Sequence, residues 1–239
     1  MLIGSSGSYL IANSVVNKKV RELQFEKARK AAEEMNGWLS EQIAWVEENA
    51  DAYEFFLQDL FVQQKDYEKI ESYLEARLLS ASDTIMDVYY GFEDHTTLIG
   101  NAEAGGGYDC CERSWYKLVK ETGSVIVTDP YADAFTGKIV VTIAVPLYNA
   151  DGKFAGACGA DITTEELVEA LDSLKEETGG YGFIVDSAGC FVAHPNEAFL
   201  PGNDKNTAIT DVAGGALSGV AAKLSEGAGV VLSRDFDGE

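Results

Sequence analysis

The first part of the chain has its apolar residues at helical spacing. From about residue 15 to residue 52 there is no proline and a single glycine, Gly37, and most steps between apolar residues are three or four. About 36 residues at about 1.5 Å each would make a rod about 54 Å long. Such a helix is longer than a small domain is wide, so we expect it to span two lobes or to continue as a stalk. A coiled coil is the alternative, but the heptad pattern is irregular.

A second helix is predicted over residues 66–82, and beyond it the pattern changes to strands and turns. Strands are predicted at 87–92, 97–100, 124–128, 138–147 and 154–162. Asn149-Ala150-Asp151-Gly152 has the residues of a hairpin turn between the last two strands, because Asn and Gly accept positive φ. Glycine and alanine alternate along 154–162, so one side of that strand must lie close to another group.

The same plan then repeats. Thr163-Thr164-Glu165-Glu166 is typical of a helix start, and it predicts a helix at 164–177 that Gly179-Gly180 ends. Strands are predicted at 181–185 and 190–194, with a turn between them. We therefore predict an α+β fold of two similar lobes, each an antiparallel sheet with helices on one face. The expected division is a long helix at 1–60, a first lobe at 61–163 and a second lobe at 164–239.

The two ends of the chain also carry expectations. Residues 1–16 are apolar but interrupted by Gly, Ser and Asn, and they are shorter than the run of about 20 apolar residues that a membrane span needs. They are consistent with the end of a membrane helix or with a tag. The chain stops at Asp237-Gly238-Glu239, a turn signal with no strand after it. We expect both ends to be boundaries of a trimmed chain, with the second lobe incomplete.

The charge of the chain excludes some partners. The formal net charge is −22 over 239 residues, and binding to nucleic acid needs clustered Lys and Arg. Docking on an anionic lipid surface is disfavoured for the same reason. Strong negative charge mainly keeps a protein soluble, so it does not identify a small ligand.

Cysteine and histidine give no sign of a metal or catalytic centre. The four cysteines lack the paired spacing of a zinc site. One bridge, from Cys110 or Cys111 to Cys158, is one interpretation, and small buried thiols are the other. His95 and His194 lie far apart in the sequence without metal-ligand partners at suitable spacing, so both are expected to be structural or exposed. We expect no metal, no cofactor and no catalytic residue.

The residues that carry chemistry lie mainly at 108–116. Arg113 offers a planar fork for a carboxylate, and Trp115 gives an apolar wall with a polar NH. Further along the chain, Asp133 and Asp161 could hold an ammonium group, so that one cation and two carboxylates together suit a zwitterion. Taken alone, however, an Arg beside a Trp is also typical of a surface stacking pair or a structural salt bridge.

The sequence resembles the amino-acid-binding subset of double Cache domains, which are extracytoplasmic sensors of bacterial chemoreceptors, histidine kinases and cyclic-dinucleotide enzymes. The likeness covers about residues 15 to 239, and it implies two PAS-like lobes after the long helix. Arg-x-Trp-Tyr alone occurs across several ligand classes, and its combination with further residues is more specific. These are Tyr108, Arg113, Trp115-Tyr116, Asp129-Pro130-Tyr131-Ala132-Asp133, the Asn149–Gly152 turn and Asp161.

The resemblance implies a role for each matching position. Arg113 and Trp115 would hold the ligand's α-carboxylate with help from Tyr108. Asp161, and with it Asp133, would bind the α-ammonium. Two further residues, Tyr116 and Tyr131, would line the pocket. The sequence departs from the family pattern at Cys110, Cys111 and Ser114, which leaves the geometry of that loop in doubt.

These expectations together describe a non-enzymatic sensor domain of a receptor in the cell membrane, with a free amino acid as its ligand and a homodimer formed through the long helix. One alternative keeps the fold but binds an organic acid, an amine or a nucleobase. A ligand with an amine is favoured if Asp133 and Asp161 both face the pocket, and an organic acid is favoured if Arg113 alone does. Another is a hydrolase using Asp133 and Asp161 as an acid–base pair, although no nucleophile or metal set accompanies them.

Overall fold

The computed structural model of the chain describes residues 6–58, 67–101, 108–173, 181–186, 188–202, 206–215 and 217–225. Two helices open it, α1 at Ser6–Gln58 and α2 at Tyr67–Ser80. The predicted long helix is confirmed, and it extends beyond 15–52 at both ends to 53 residues, about 80 Å at about 1.5 Å per residue. None of the helices within the described ranges is both long enough and apolar enough to cross a membrane.

A six-stranded antiparallel sheet forms the centre of the first lobe. Its strands are β1 at Ile85–Phe92, β2 at Thr97–Ile99, β3 at Ile126–Val127, β4 at Tyr131–Ala132, β5 at Ile139–Tyr148 and β6 at Phe154–Thr163. The order is β2-β1-β6-β5-β3, and β4 also pairs with β5. All the predicted strands of this part are present. β4 is not among the predicted strands, because two residues after Pro130 are too few to show strand alternation.

One face of this sheet is apolar and packs on the first two helices. Strand β1 presents Val88, Tyr90 and Phe92 to a core that also holds α1 and α2 side chains. Asn49 lies at the junction of these elements. Its backbone carbonyl accepts a hydrogen bond from the Tyr90 hydroxyl, and its side-chain oxygen accepts one from Arg77 Nε at 2.8 Å.

The opposite face of the sheet is covered by a helix that the sequence pattern did not predict. Helix α3 at Ser114–Thr122 follows a single 3-10 turn at Cys110–Glu112. It buries Trp115, Tyr116 and Val119 against the sheet. The first lobe therefore has helices on both faces of its sheet, whereas the sequence predicted helices on one face only.

The second lobe is described in part. It comprises α4 at Thr164–Ser173, β7 at Ile184–Val185, β8 at Phe191–Ala193 and α5 at Ser218–Ser225. The predicted helix start is present, since Thr163 Oγ1 accepts a hydrogen bond from the Glu166 backbone at 3.3 Å. Two of the predicted features, the Gly179-Gly180 helix end and the final turn at 237–239, lie outside the described residues, as do Gly105–Gly107 of the first lobe.

Candidate functional site

A buried carboxylate, Asp161, lies at the centre of the site. It stands near the end of β6, in register with Asp87 on β1 and Thr142 on β5. Its side chain is only 4% exposed. Its Oδ1 accepts hydrogen bonds from the Tyr89 hydroxyl at 2.8 Å and from Thr142 Oγ1 at 2.6 Å. Burial raises the pKa of Asp161 to about 6, although both hydrogen bonds act to lower it.

A chain of hydroxyl groups connects Asp161 to Tyr131. The Tyr131 hydroxyl lies 2.6 Å from Thr142 Oγ1. Because the single proton of Thr142 is donated to Asp161, Thr142 must accept from Tyr131. Desolvation raises the pKa of Tyr131, so this hydroxyl keeps its proton and remains a donor. The predicted site residues Tyr131 and Asp161 are thus brought together by the adjacent strands β4, β5 and β6.

The start of α3 supplies the cationic and indole groups. Arg113 is the extended residue that precedes the helix, so its side chain leaves the backbone beside the helix start. Its guanidinium lies over the rings of Tyr108 at 5.5 Å and Tyr131 at 5.9 Å. Within the described part of the chain no salt bridge of Arg113 occurs. The positive charge of Arg113 acts to lower the pKa of Asp161.

Tyr108 and Trp115 form a second wall. Trp115 is fully buried, with its ring centroid 5.0 Å from that of Tyr89. Its Nε1 donates to the Tyr108 hydroxyl at 3.0 Å. The Tyr108 ring also packs on Phe135 at 5.0 Å. Desolvation raises the pKa of Tyr108 to about 12. The indole N–H is used in this bond, so the Tyr108 hydroxyl keeps its own proton for a further acceptor beside the guanidinium of Arg113.

Asp133 lies near this group but is engaged in its own turn. Its Oδ1 accepts from the backbone and the hydroxyl of Thr136, at 2.7 and 2.6 Å. Its charge acts toward raising the pKa of Asp161. The turn uses one oxygen of Asp133, so only the other is available to a ligand.

The hydroxyl of Tyr116 points away from Asp161. It donates to Glu93 Oε1 at 2.8 Å, and the ring packs edge-on against Phe154. Glu93 follows the end of β1, six residues beyond Asp87, the β1 partner of Asp161. At about 3.3 Å per residue that is about 20 Å. The structure therefore places Tyr116 behind Trp115 as a support, not with its hydroxyl beside the other predicted residues.

Comparison with known proteins shows which family the chain belongs to. Residues 9–239 match the Cache domain family dCache_1. The chain belongs to the Cache domain family. Among curated proteins, this Cache domain is 31% identical over 186 residues to the methyl-accepting chemotaxis protein McpA of Bacillus subtilis, covering 77% of the chain and 24% of McpA. It is 30% identical over 159 residues to PscA of Pseudomonas syringae pv. tomato, covering 65% of the chain and 24% of that protein. The chain thus spans about a quarter of the length of these relatives.

Solved ligand-binding domains of chemoreceptors have the same fold. The domain of Pseudomonas fluorescens CtaA in complex with L-valine is 27% identical, with a TM-score of 0.63 over 77% of this Cache domain and 78% of that chain. The domain of Pseudomonas aeruginosa PctC in complex with GABA is 29% identical, with a TM-score of 0.61 over 74% and 76%. PctB from the same organism, in complex with L-Gln, is 26% identical, with a TM-score of 0.64 over 80% and 73%.

Three residues of this Cache domain's site escaped the sequence analysis: Tyr89, Thr142 and Asp87. Each lies inside a strand, and strand alternation puts Asp87 and Tyr89 on the same face of β1. The sequence does carry a signal for Thr142. Strand β5 is apolar apart from this residue and Tyr148 at its end, so a hydroxyl group in the middle of the strand is unusual. Their meeting with Asp161 depends on the register of β1, β5 and β6, which the sequence alone did not specify.

The four cysteines of this Cache domain are free thiols. Cys158 lies within the apolar core on the α1 side of the sheet, whereas Cys110 lies in the cluster beneath α3. The sheet separates the two clusters. The bridge to Cys158 is therefore not formed. The interpretation as buried thiols holds for Cys110 and Cys158, whereas Cys111 and Cys190 are half-buried.

Proposed function

We propose that this Cache domain is the extracytoplasmic sensor domain of a bacterial chemotaxis receptor and that it binds a free amino acid in its first lobe, residues 61–163. The observation that carries the proposal is the pairing of a buried Asp161 carboxylate with a nearby Arg113 whose guanidinium forms no salt bridge among the described residues. One fixed anion and one available cation match the two charges of a zwitterion. The likeness to ligand-binding domains solved with L-valine, L-Gln and GABA supports the same ligand class.

Each end of the ligand has a set of donors or acceptors. Arg113 and the Tyr108 hydroxyl receive the α-carboxylate, and Trp115 Nε1 orients that hydroxyl by donating to it. Asp161 receives the α-ammonium, because its Oδ1 is already oriented by Tyr89 and Thr142. The free oxygen of Asp133 adds a second, weaker acceptor. Tyr131 forms a wall between the two ends, and Tyr116 supports Trp115 from behind.

The alternative ligands fit this arrangement less well. An organic acid would satisfy Arg113 but leave the charged form of Asp161 buried without a cation, which is costly. A simple amine or a nucleobase would leave Arg113 without a carboxylate. A hydrolase would need Asp133 and Asp161 to exchange protons, but Asp133 is tied to Thr136, and the Thr142 hydroxyl beside Asp161 is held between Asp161 and Tyr131. A binding role without catalysis follows.

The receptor context is part of the proposal. The curated relatives are methyl-accepting chemotaxis proteins about four times as long as their match to this chain. We propose that α1 connects the domain to a membrane anchor, pairs with α1 of a second copy and transmits the signal. Asn49 joins α1 to β1 and α2, so a ligand that changes the position of the sheet would also change the position of this helix. A ligand shifts such an equilibrium only by its differential affinity for the two states.

Calorimetry on three proteins tests the ligand assignment. Wild type, Asp161→Asn and Asp151→Asn are titrated with the twenty amino acids, GABA and short dicarboxylates, after a thermal-shift screen. Asp161→Asn keeps the shape and one acceptor but removes the charge. We expect it to weaken binding of the best amino acid at least about 100-fold. Asp151→Asn changes an exposed turn and serves as the control for net charge.

Two results would contradict the assignment. If dicarboxylates stabilise the wild type while no amino acid does, the ligand class is wrong. If Asp161→Asn binds the amino acid as tightly as Asp151→Asn does, the ammonium is held elsewhere and the proposed orientation of the ligand is wrong.

A further inference from the structure

A second group of side chains with metal-binding chemistry lies outside the proposed ligand pocket. His95 is in the turn between β1 and β2, and Asp109 and Cys111 belong to the 3-10 turn before α3. His95 Nδ1 lies 2.8 Å from Asp109 Oδ2. One donor atom from each of the three residues lies within 4.8 Å of the other two. The sequence spacing gave no hint of this group, because its members come from two separate turns.

The three donors match the preferences of zinc. Imidazole nitrogen, carboxylate oxygen and thiolate sulfur bind Zn²⁺ at about 2.0 to 2.3 Å with tetrahedral geometry. Two ligand atoms of such a site are therefore about 3.3 to 3.8 Å apart. The observed separations lie within about 1 Å of that range. Calcium and magnesium prefer oxygen ligands only, so a site that contains sulfur and nitrogen disfavours them.

The backbone holds each of these residues in place. His95 has a φ of +69° and is the single residue other than glycine with positive φ in the described ranges. Its own amide donates to the Phe92 carbonyl at 3.0 Å. Asp109 Oδ1 caps the 3-10 turn by accepting from the Cys111 amide at 3.0 Å, which leaves Oδ2 for His95. Uncommon backbone conformations in residues other than glycine cluster at functional sites.

The group is also open to solvent, so a metal ion can reach it. The side chains of His95 and Asp109 are 61% and 39% exposed, and Cys111 is half-buried. Cys111 Sγ lies 3.3 Å from the Phe92 carbonyl oxygen, beside the same turn that carries His95. Its neighbour Cys110 is fully buried, with its Sγ 3.9 Å from that of Cys111.

We propose that His95, Asp109 and Cys111 form a zinc site with a water molecule in the fourth position. The metal would bind His95 Nδ1, Asp109 Oδ2 and the deprotonated Sγ of Cys111, and its binding would release the thiol proton. The His95–Asp109 hydrogen bond would then open by about 0.5 Å to the separation of two zinc ligands. The site ties the β1–β2 turn to the segment from which α3 begins.

The test uses metal-free protein kept under a phosphine reductant, so that the cysteines remain thiols. Zn²⁺ is titrated in competition with a chromophoric chelator, and Co²⁺ is used as a spectroscopic probe. We expect one zinc per chain with a dissociation constant below about 1 µM, and a thiolate-to-cobalt charge-transfer band. His95→Asn, which tolerates the positive φ, and Cys111→Ser should each weaken zinc binding more than about tenfold. Cys111→Ser should also abolish the charge-transfer band.

Cys190→Ser and Asp151→Asn are the matched controls, because they change a thiol and a carboxylate elsewhere in the chain. Both should bind zinc as the wild type does. The proposal is wrong if the wild type binds zinc no tighter than about 1 mM, as an acidic surface would. It is also wrong if His95→Asn and Cys111→Ser match the controls, in which case His95 and Asp109 form a simple ion pair. Thermal unfolding without metal checks that every variant is folded.

Discussion

Asp87 and Asp161 face each other directly across the neighbouring antiparallel strands β1 and β6. Asp87 is 7% exposed and Asp161 4%. Burial is the main reason why the pKa of Asp87 rises to about 7 and that of Asp161 to about 6, and the charge of Asp161 also raises the pKa of Asp87. Two adjacent carboxyls that lose protons near neutral pH make both the stability and the ligand affinity of the domain dependent on pH.

The ligand-free domain should lose stability as the pH rises. In the unfolded chain a carboxyl titrates near its ordinary pKa, so between about pH 4 and pH 7 the folded state holds a proton on Asp87 that the unfolded state has released. The stabilisation that the protonated Asp87 carboxyl gives to the folded state is therefore present at low pH and is lost as the pH rises through about 7. Asp87→Asn resembles the protonated form and keeps an acceptor for the amides of Val88 and Asn101.

Thermal unfolding at about pH 5 and about pH 8 checks this prediction. We expect the stability of Asp87→Asn relative to the wild type to increase from the lower to the higher pH by about 2 kcal/mol, or about 4 to 8 °C in Tm. Asp151→Asn, a control at an exposed position, should change Tm by the same amount at both pH values. A constant difference between Asp87→Asn and the wild type would show that Asp87 does not carry the pH dependence.

Binding of an amino acid should release a proton from Asp161. An ammonium group favours the charged carboxylate, so the ligand lowers the pKa of Asp161 from about 6. Affinity should then rise with pH up to about 7 and fall below about pH 6, by up to tenfold for each pH unit. Calorimetry in two buffers of different ionisation enthalpy measures the proton release directly. Equal apparent enthalpies in the two buffers at about pH 6 would contradict this prediction.

The fold was predictable wherever one element carried its own periodic pattern. The ends of β5 and β6 lie within one residue of their predicted positions. Both strands are long, and a turn that contains Asn and Gly separates them. Helix α3 was missed because its residues Ser114–Thr122 are few and include the aromatic residues that had been assigned to ligand binding. Two-residue strands such as β4 have too few positions for alternation to be visible.

The site was predictable only for residues whose chemistry is unusual in itself. A cation such as Arg113 and an acid at a strand end, Asp161, attract notice in any sequence. Tyr89 and Thr142 have ordinary strand residue types, and their role depends on which atoms the sheet register brings next to Asp161. The contact of His95 with Asp109 likewise requires the relative position of two turns.

Gly159 should be essential for the position of Tyr89. A Cβ at this glycine would lie 2.3 Å from Tyr89 Cε2, a distance that forces the ring to move. Since the Tyr89 hydroxyl orients Asp161, Gly159→Ala should both destabilise the domain by about 2 kcal/mol and weaken amino-acid binding. Chemical unfolding and calorimetry measure the two effects.

A double-mutant cycle identifies the cause of the Gly159→Ala effect. In a Tyr89→Val background the ring is absent, so the added methyl group should cost at least about 1 kcal/mol less than in the wild type. An equal cost in both backgrounds would mean that backbone effects in β6, not the contact with Tyr89, explain the loss.

Gly37 offers a test of whether α1 is a continuous helix in solution. It lies in the exposed middle of α1, and a Cβ added there meets nothing within 4 Å. Glycine in a helix interior is less favourable than alanine by about 0.5 to 1 kcal/mol, so Gly37→Ala should raise stability by about that amount and Tm by about 1 to 4 °C. Ala44→Gly, at another exposed position of α1, should lower stability by a similar amount. If Ala44→Gly behaves as expected while Gly37→Ala leaves Tm unchanged, the helix is interrupted at Gly37, and α1 could not transmit a displacement along its whole length.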